Sequence, residues 1–95
     1  MSIPVGLSTA CVVPGSVPDT FAIAQDLGYD GVEIMVWSEK ASQDATRLAA
    51  LVEKFDQPVL AVHAPTLLVT RGVFGVDPWD KVDRSIELAH YLEAP

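Results

Sequence analysis

Apolar positions along this chain switch between two spacings. Val5 and Leu7 alternate with Gly6 and Ser8 between Ile3 and Ala10, which predicts a short strand. After a Pro14-Gly15-Ser16 loop, Val17, Phe21, Ala24 and Leu27 recur on one helical face. Ser16 is placed to cap that helix, Pro18 and Asp19 suit its first turn, and Gly28 suits a left-handed C-terminal cap. The plan then repeats. Gly31–Trp37 reads as a strand with Val32, Ile34 and Val36 in phase, and Trp37–Ser42 as a polar loop. Ala45, Leu48, Ala49, Val52 and Phe55 form a second helical stripe that Gln57-Pro58 stops. Val59–His63 is a third strand, and a longer loop runs from Ala64 to Val76. Asp77 and Pro78 then open a third helix whose apolar face is Val82, Ile86 and Ala89.

The strand centres Leu7, Glu33 and Ala61 lie 26 and 28 residues apart. Strand–helix units at that period predict an α/β fold with a parallel sheet, strands falling near 3–9, 31–36 and 59–63. The last helix ends in Leu92-Glu93-Ala94-Pro95, where a fourth strand is due. A three-stranded parallel sheet leaves two edges open, and such sheets are normally covered. The expectation is therefore that residues 1–95 are the N-terminal part of one (β/α)8 TIM-type barrel, its first three βα units. Apolar surface meant for further units should then make the chain self-associate, or fold only in part, when alone.

Strand phase sorts the chemistry. In a βα barrel one phase faces the helices and the other the interior. Val5, Leu7, Val32, Ile34, Val36, Leu60 and Val62 form the helix-facing set. Gly6, Ser8, Ala10, Glu33, Met35, Trp37, Ala61 and His63 form the interior set, which contains both ionisable strand residues. His63 ends its strand at the C-terminal side, where βα-barrel active sites lie, and a neutral imidazole there can bind a metal or move a proton. The plain alternative is a histidine bonded to a loop carbonyl that shapes the turn before Pro65. Glu33 is mid-strand, either a site carboxylate or a support for another residue. Cys11 reads as a reactive thiol or, more commonly for its type, a small buried apolar group, Trp37 and Trp79 as mouth-packing or ligand-stacking rings, Arg71 as an anion-holding or solvated loop cation and His90 as a surface residue. The sequence has no phosphate-binding glycine loop and no Cys/His metal cluster.

Composition narrows the partners. The 95 residues carry 13 acidic and 6 basic side chains, a net charge of −7, which disfavours a nucleic-acid binder. Apolar residues make up 49% of the chain, too many for a disordered acidic tail. No run of about 18 apolar residues is present, and Met1-Ser2-Ile3-Pro4 lacks the start of a secretory signal. A single cysteine excludes an internal disulfide and agrees with a cytoplasmic setting.

Two short runs carry a family resemblance. Gly28-Tyr29-Asp30-Gly31-Val32-Glu33-Ile34 resembles the signature after the first helix of xylose-isomerase-like barrels, and Val62-His63-Ala64-Pro65 resembles their third-strand motif. That superfamily includes sugar-phosphate isomerases and epimerases, inosose dehydratases and apurinic endonucleases. The resemblance implies a divalent metal (Mn, Mg, Zn or Co) at the barrel mouth, held mostly by residues of later strands. His63 matches a metal ligand of the endonuclease-like members and a substrate contact of the epimerase-like ones. Glu33 matches a site-facing or supporting glutamate. The implied activity is isomerisation or epimerisation of a small carbohydrate or polyol, with metal-assisted proton transfer next to a carbonyl and His63 and Glu33 in the catalytic set. The alternatives are a metal-dependent apurinic endonuclease and a non-catalytic barrel or assembly fragment. The 95 residues alone should be inactive, and a homo-oligomer is compatible with the reading.

Overall fold

A computed structural model describes residues 3–11, 15–65, 73 and 78–95. The described elements are β1 (Gly6–Ser8), a 3-10 turn (Thr9–Cys11), α1 (Val17–Leu27), β2 (Gly31–Met35), α2 (Lys40–Gln43), α3 (Ala45–Phe55), β3 (Val59–His63) and α4 (Pro78–Tyr91). The strands form one sheet in the order β1-β2-β3, with both neighbouring pairs parallel. The result is an α/β arrangement with a three-stranded parallel sheet.

Local chemistry accounts for the helix ends. Ser16 accepts from the Asp19 N–H through Oγ at 3.3 Å, and the Asp19 carboxylate accepts from the Ser16 N–H at 3.0 Å. This reciprocal capping box satisfies two donors that a helix start leaves open. Gly28 closes α1 at φ 78°, a left-handed conformation that costs glycine little. Asp44 caps α3 by accepting from the Arg47 N–H at 3.1 Å. The expected cap at Asp77 lies outside the described residues, as does Arg71.

The core lies between the sheet and the helices. Val32, Ile34 and Val36 are fully buried against Val17, Phe21, Ala24 and Leu48. The Phe21 and Phe55 rings join α1 to α3, with centroids 6.4 Å apart. The other phase of β2, Glu33 and Met35, is half-buried.

Four details depart from the periodicity. First, β1 is only three residues long, and Ile3 and Val5 are exposed. The backbone turns at Thr9, whose buried Oγ1 accepts from the Met35 N–H at 2.9 Å in place of a further strand carbonyl. Second, the Trp37–Ser42 loop contains the start of the short helix α2.

Third, Leu60 does not join the helix-facing set. The β2–β3 register pairs Val32 with Val59 but Glu33 with Ala61, so one extra residue sits in β3. Val59 turns to the helices and is buried, while Leu60 lies where side chains on Gly6 and Gly31 would project, its Cδ1 3.1 Å from each ideal Cβ position. Beyond the irregularity, Ile34 pairs with Val62 and Met35 with His63, as the phases require. Fourth, α4 is rotated from its expected face. Lys81, Ser85 and Leu88 point inward, whereas Val82 and Ile86 are 41% and 62% exposed. The Lys81 ammonium, 2% exposed as a residue, donates to the Val73 carbonyl at 2.7 Å.

Candidate functional site

The site begins with the run from Gly28 to Glu33, in which neighbouring residues have separate structural roles. Gly28 ends α1. The Tyr29 N–H donates to the Ala24 carbonyl, and its own carbonyl accepts from Gln57 Nε2 at 3.1 Å. Asp30 clamps the start of β1 twice: its carboxylate accepts from the Val5 N–H at 2.7 Å, and its N–H donates to the Val5 carbonyl at 2.9 Å. Gly31 admits close packing, since a Cβ there would collide with the Pro58 carbonyl oxygen and lie 2.7 Å from Leu60 Cγ. Val32 fills the core. Glu33 has no comparable structural role. It is half-buried, pairs with Ser8 and Ala61 in the sheet, and its carboxylate has no hydrogen-bond or ionic partner among the described residues.

His63 stands one strand away on the same sheet face, in register with Met35, two residues beyond the Glu33 level. The residue is exposed, and its Nδ1 lies 2.8 Å from the Ala64 carbonyl oxygen. A carbonyl can only accept, so Nδ1 carries the proton in this bond, and the neutral ring keeps a lone pair on Nε2. Metal-binding and proton-accepting histidines are oriented in this way by a backbone carbonyl. The same bond serves the turn into buried Pro65, as the turn-shaping alternative requires.

The surrounding loops are fastened at points that periodicity does not reveal. Ser42 is fully buried; its Oγ accepts from the Trp37 N–H at 3.1 Å and lies 3.1 and 2.7 Å from the Trp37 and Glu39 carbonyl oxygens. Gln43 Nε2 donates to the Trp37 carbonyl at 2.8 Å. The Val17 N–H donates to both Glu39 carboxylate oxygens, at 3.1 and 3.2 Å, which ties the loop after β2 to the positive end of α1. Their signal in sequence is weak, because a serine or glutamate in a polar loop is ordinarily solvated.

Cys11 is exposed at the end of the turn after β1, which corrects the expectation of a buried thiol. Trp79 lies in the first turn of α4 and is 75% exposed, so its ring is largely open to solvent. His90 is exposed near the end of α4, as expected. A cavity of about 360 Å³ and another of about 480 Å³ lie around α2, α3 and α4, away from Glu33 and His63.

A divalent ion needs three or more protein donors to be held well. Among the described residues no group of three His, Cys, Asp or Glu side chains converges. His63 Nε2 is chemically suited to supply one donor, and the Glu33 carboxylate, without a partner among the described residues, shares its sheet face. Among the described residues no helix is long and apolar enough to cross a membrane.

The chain is 48% identical over 93 residues to uncharacterized protein Rv0498 of Mycobacterium tuberculosis, a match covering 98% of this chain and 33% of that protein. It is also 48% identical over 92 residues to uncharacterized protein ML2432 of Mycobacterium leprae, covering 97% of this chain and 33% of the relative. The chain therefore spans about a third of the length of the curated relatives it matches. No family model matches it, and no solved structure does.

Proposed function

We propose that this chain is the N-terminal portion of a xylose-isomerase-like (β/α)8 barrel enzyme that isomerises or epimerises a small carbohydrate or polyol. The observation that carries the reading is the pairing of sheet face with chemistry. One face of the parallel sheet is packed by helices and purely apolar along β2, while the opposite face holds Glu33 and, at the C-terminal end of β3, His63. Sequential strand order with this one-sided packing is what a barrel segment requires, whereas doubly wound sheets carry helices on both faces.

In this reading His63 presents Nε2 to a metal or a substrate hydroxyl, its ring held by the Ala64 carbonyl. Glu33 accepts a hydrogen bond from a substrate hydroxyl, or moves a proton at the carbon beside the carbonyl. The divalent ion, when bound, polarises the carbonyl or hydroxyl oxygen that reacts. The remaining donors come from parts of the protein outside these residues, in line with relatives about three times as long. The net charge of −7 argues against a surface for the phosphate backbone of DNA.

The test uses the full-length protein with Mn, Mg, Zn or Co and a panel of aldoses, ketoses and cyclic polyols. Metal-dependent interconversion is expected, and His63→Ala should reduce it by at least about 100-fold while leaving the melting temperature nearly unchanged. Unchanged turnover with a lowered melting temperature would identify His63 as a turn-shaping residue only.

A further inference from the structure

Trp37 stands just beyond β2, with both of its backbone polar groups held by side chains of α2. Burial alternates without a break from Val32 to Trp37: Val32, Ile34 and Val36 are fully buried, while Glu33, Met35 and Trp37 are half-buried. The Val36 N–H donates to the His63 carbonyl at 3.0 Å, so hydrogen bonding to β3 extends one residue past β2, to the neighbour of Trp37. Trp37 therefore continues the face that holds Glu33 and His63, at the C-terminal end of the sheet.

Its backbone groups are both bound. The N–H goes to Ser42 Oγ, and the carbonyl accepts from Gln43 Nε2 at 2.8 Å with Ser42 Oγ 3.1 Å away. Ser42 itself is fully buried, and the Glu39 carboxylate pins the same loop to the first N–H of α1. A half-buried ring on a backbone held at both its N–H and its carbonyl has less freedom to lose when a ligand arrives, so binding to it costs less conformational entropy. The face of an indole is electron-rich, and the C–H bonds on one side of a sugar ring carry small positive charge. Stacking of the two suits a ligand whose other side is all hydroxyl.

We propose that Trp37 is a substrate-contact residue, the stacking platform for the C–H face of a sugar or polyol, with Ser42 and Gln43 as its positioning residues. This rests on the sugar-enzyme reading above, and names the part of the site that selects ring-shaped polyhydroxy ligands.

The experiment labels the full-length protein with 5-fluorotryptophan and assigns the Trp37 fluorine resonance by its loss in Trp37→Phe. D-fructose, D-xylose and myo-inositol are the probes. At least one should displace the Trp37 resonance saturably. By calorimetry, Trp37→Leu should weaken that sugar about threefold to tenfold, and Trp37→Phe less. A Trp37 resonance unmoved by all three sugars overturns the proposal, as does a Trp37→Leu protein that binds as tightly as the parent. Metal-dependent turnover is measured on the same samples. Turnover with an unmoved resonance sinks the platform and spares the enzyme reading; a moved resonance without turnover on the panel spares the platform and counts against the enzyme reading.

Discussion

At the scale of single residues, the Gly28–Glu33 run shows how a short motif mixes structural and chemical roles. Gly31 is the most constrained member, because a methyl group there meets the Pro58 backbone as well as the Leu60 side chain. Leucine can change rotamer, but the carbonyl cannot move without disturbing β2–β3 pairing. Gly31→Ala should therefore destabilise the protein by about 1–3 kcal/mol, towards the upper end, read as a lowered denaturant midpoint. Asp19 offers a test by pH. Hydrogen bonds from the Ser16 backbone and then its side chain hold the Asp19 carboxyl below its ordinary value of 3.8. The group binds its proton less readily folded than unfolded, so its contribution is full above the ordinary carboxylate range and is lost as pH falls through the folded value. Carbon-detected titration should place Asp19 below an exposed aspartate in the same spectrum, and Ser16→Ala should raise it. Gly28, Ser16 and Asp19 are legible in sequence because their partners lie within a few residues. Ser42 and Glu39 are not, since their roles depend on where a folded loop places them.

At the scale of elements, the two surprises are the loop after β2 and the rotation of α4. Ser42→Ala would leave the half-buried Trp37 N–H without its hydroxyl partner and remove the bridge to Glu39. A loss of about 1–3 kcal/mol is expected in equilibrium unfolding, with a broadened Trp37 fluorine resonance as the sign that the loop has loosened. In α4, apolar spacing favours Val82, Ile86 and Ala89 as the inner face, but the helix buries Lys81, Ser85 and Leu88 instead. Leu88 reaches the core, and Lys81 spans the helix to the Val73 carbonyl, fixing buried Val73 of the preceding loop. Lys81→Met keeps the volume and loses that bond, so a loss of about 1–3 kcal/mol is expected, read as a lowered denaturant midpoint. Periodicity finds an apolar stripe on a helix, but which neighbour the stripe meets depends on the packing of whole elements.

At the scale of the whole molecule, Trp79, Val82 and Ile86 form an exposed apolar strip along one flank of α4, while Arg84, Glu87 and Tyr91 line the other, towards α3. Exposed apolar strips of this kind mark surfaces that associate. Under the barrel reading, the next βα unit of the full-length protein covers the strip. Residues 1–95 produced alone should then self-associate in sedimentation runs, and at dilutions where they are monomeric Trp79 should be oxidised faster by hydroxyl radicals than in the full-length protein. A cooperatively unfolding monomer, with Trp79 equally reactive in both, would count against the barrel.

The alternation of the three strands with α1, α3 and α4, their spacing and both caps of α1 were determined by the sequence alone, because each depends on residues close along the chain. The division of β2 into an apolar face and a face bearing Glu33 was legible for the same reason, since side chains alternate strictly along a regular strand. Tertiary structure alone decided that Leu60 fills the space over Gly6 and Gly31, that α4 turns Lys81 inward, and that Ser42 and Glu39 hold the loop carrying Trp37. Each of these depends on space left, or a polar group exposed, by another segment of the chain. An extra residue in one strand or a small rotation of one helix redistributes that space without changing the local pattern.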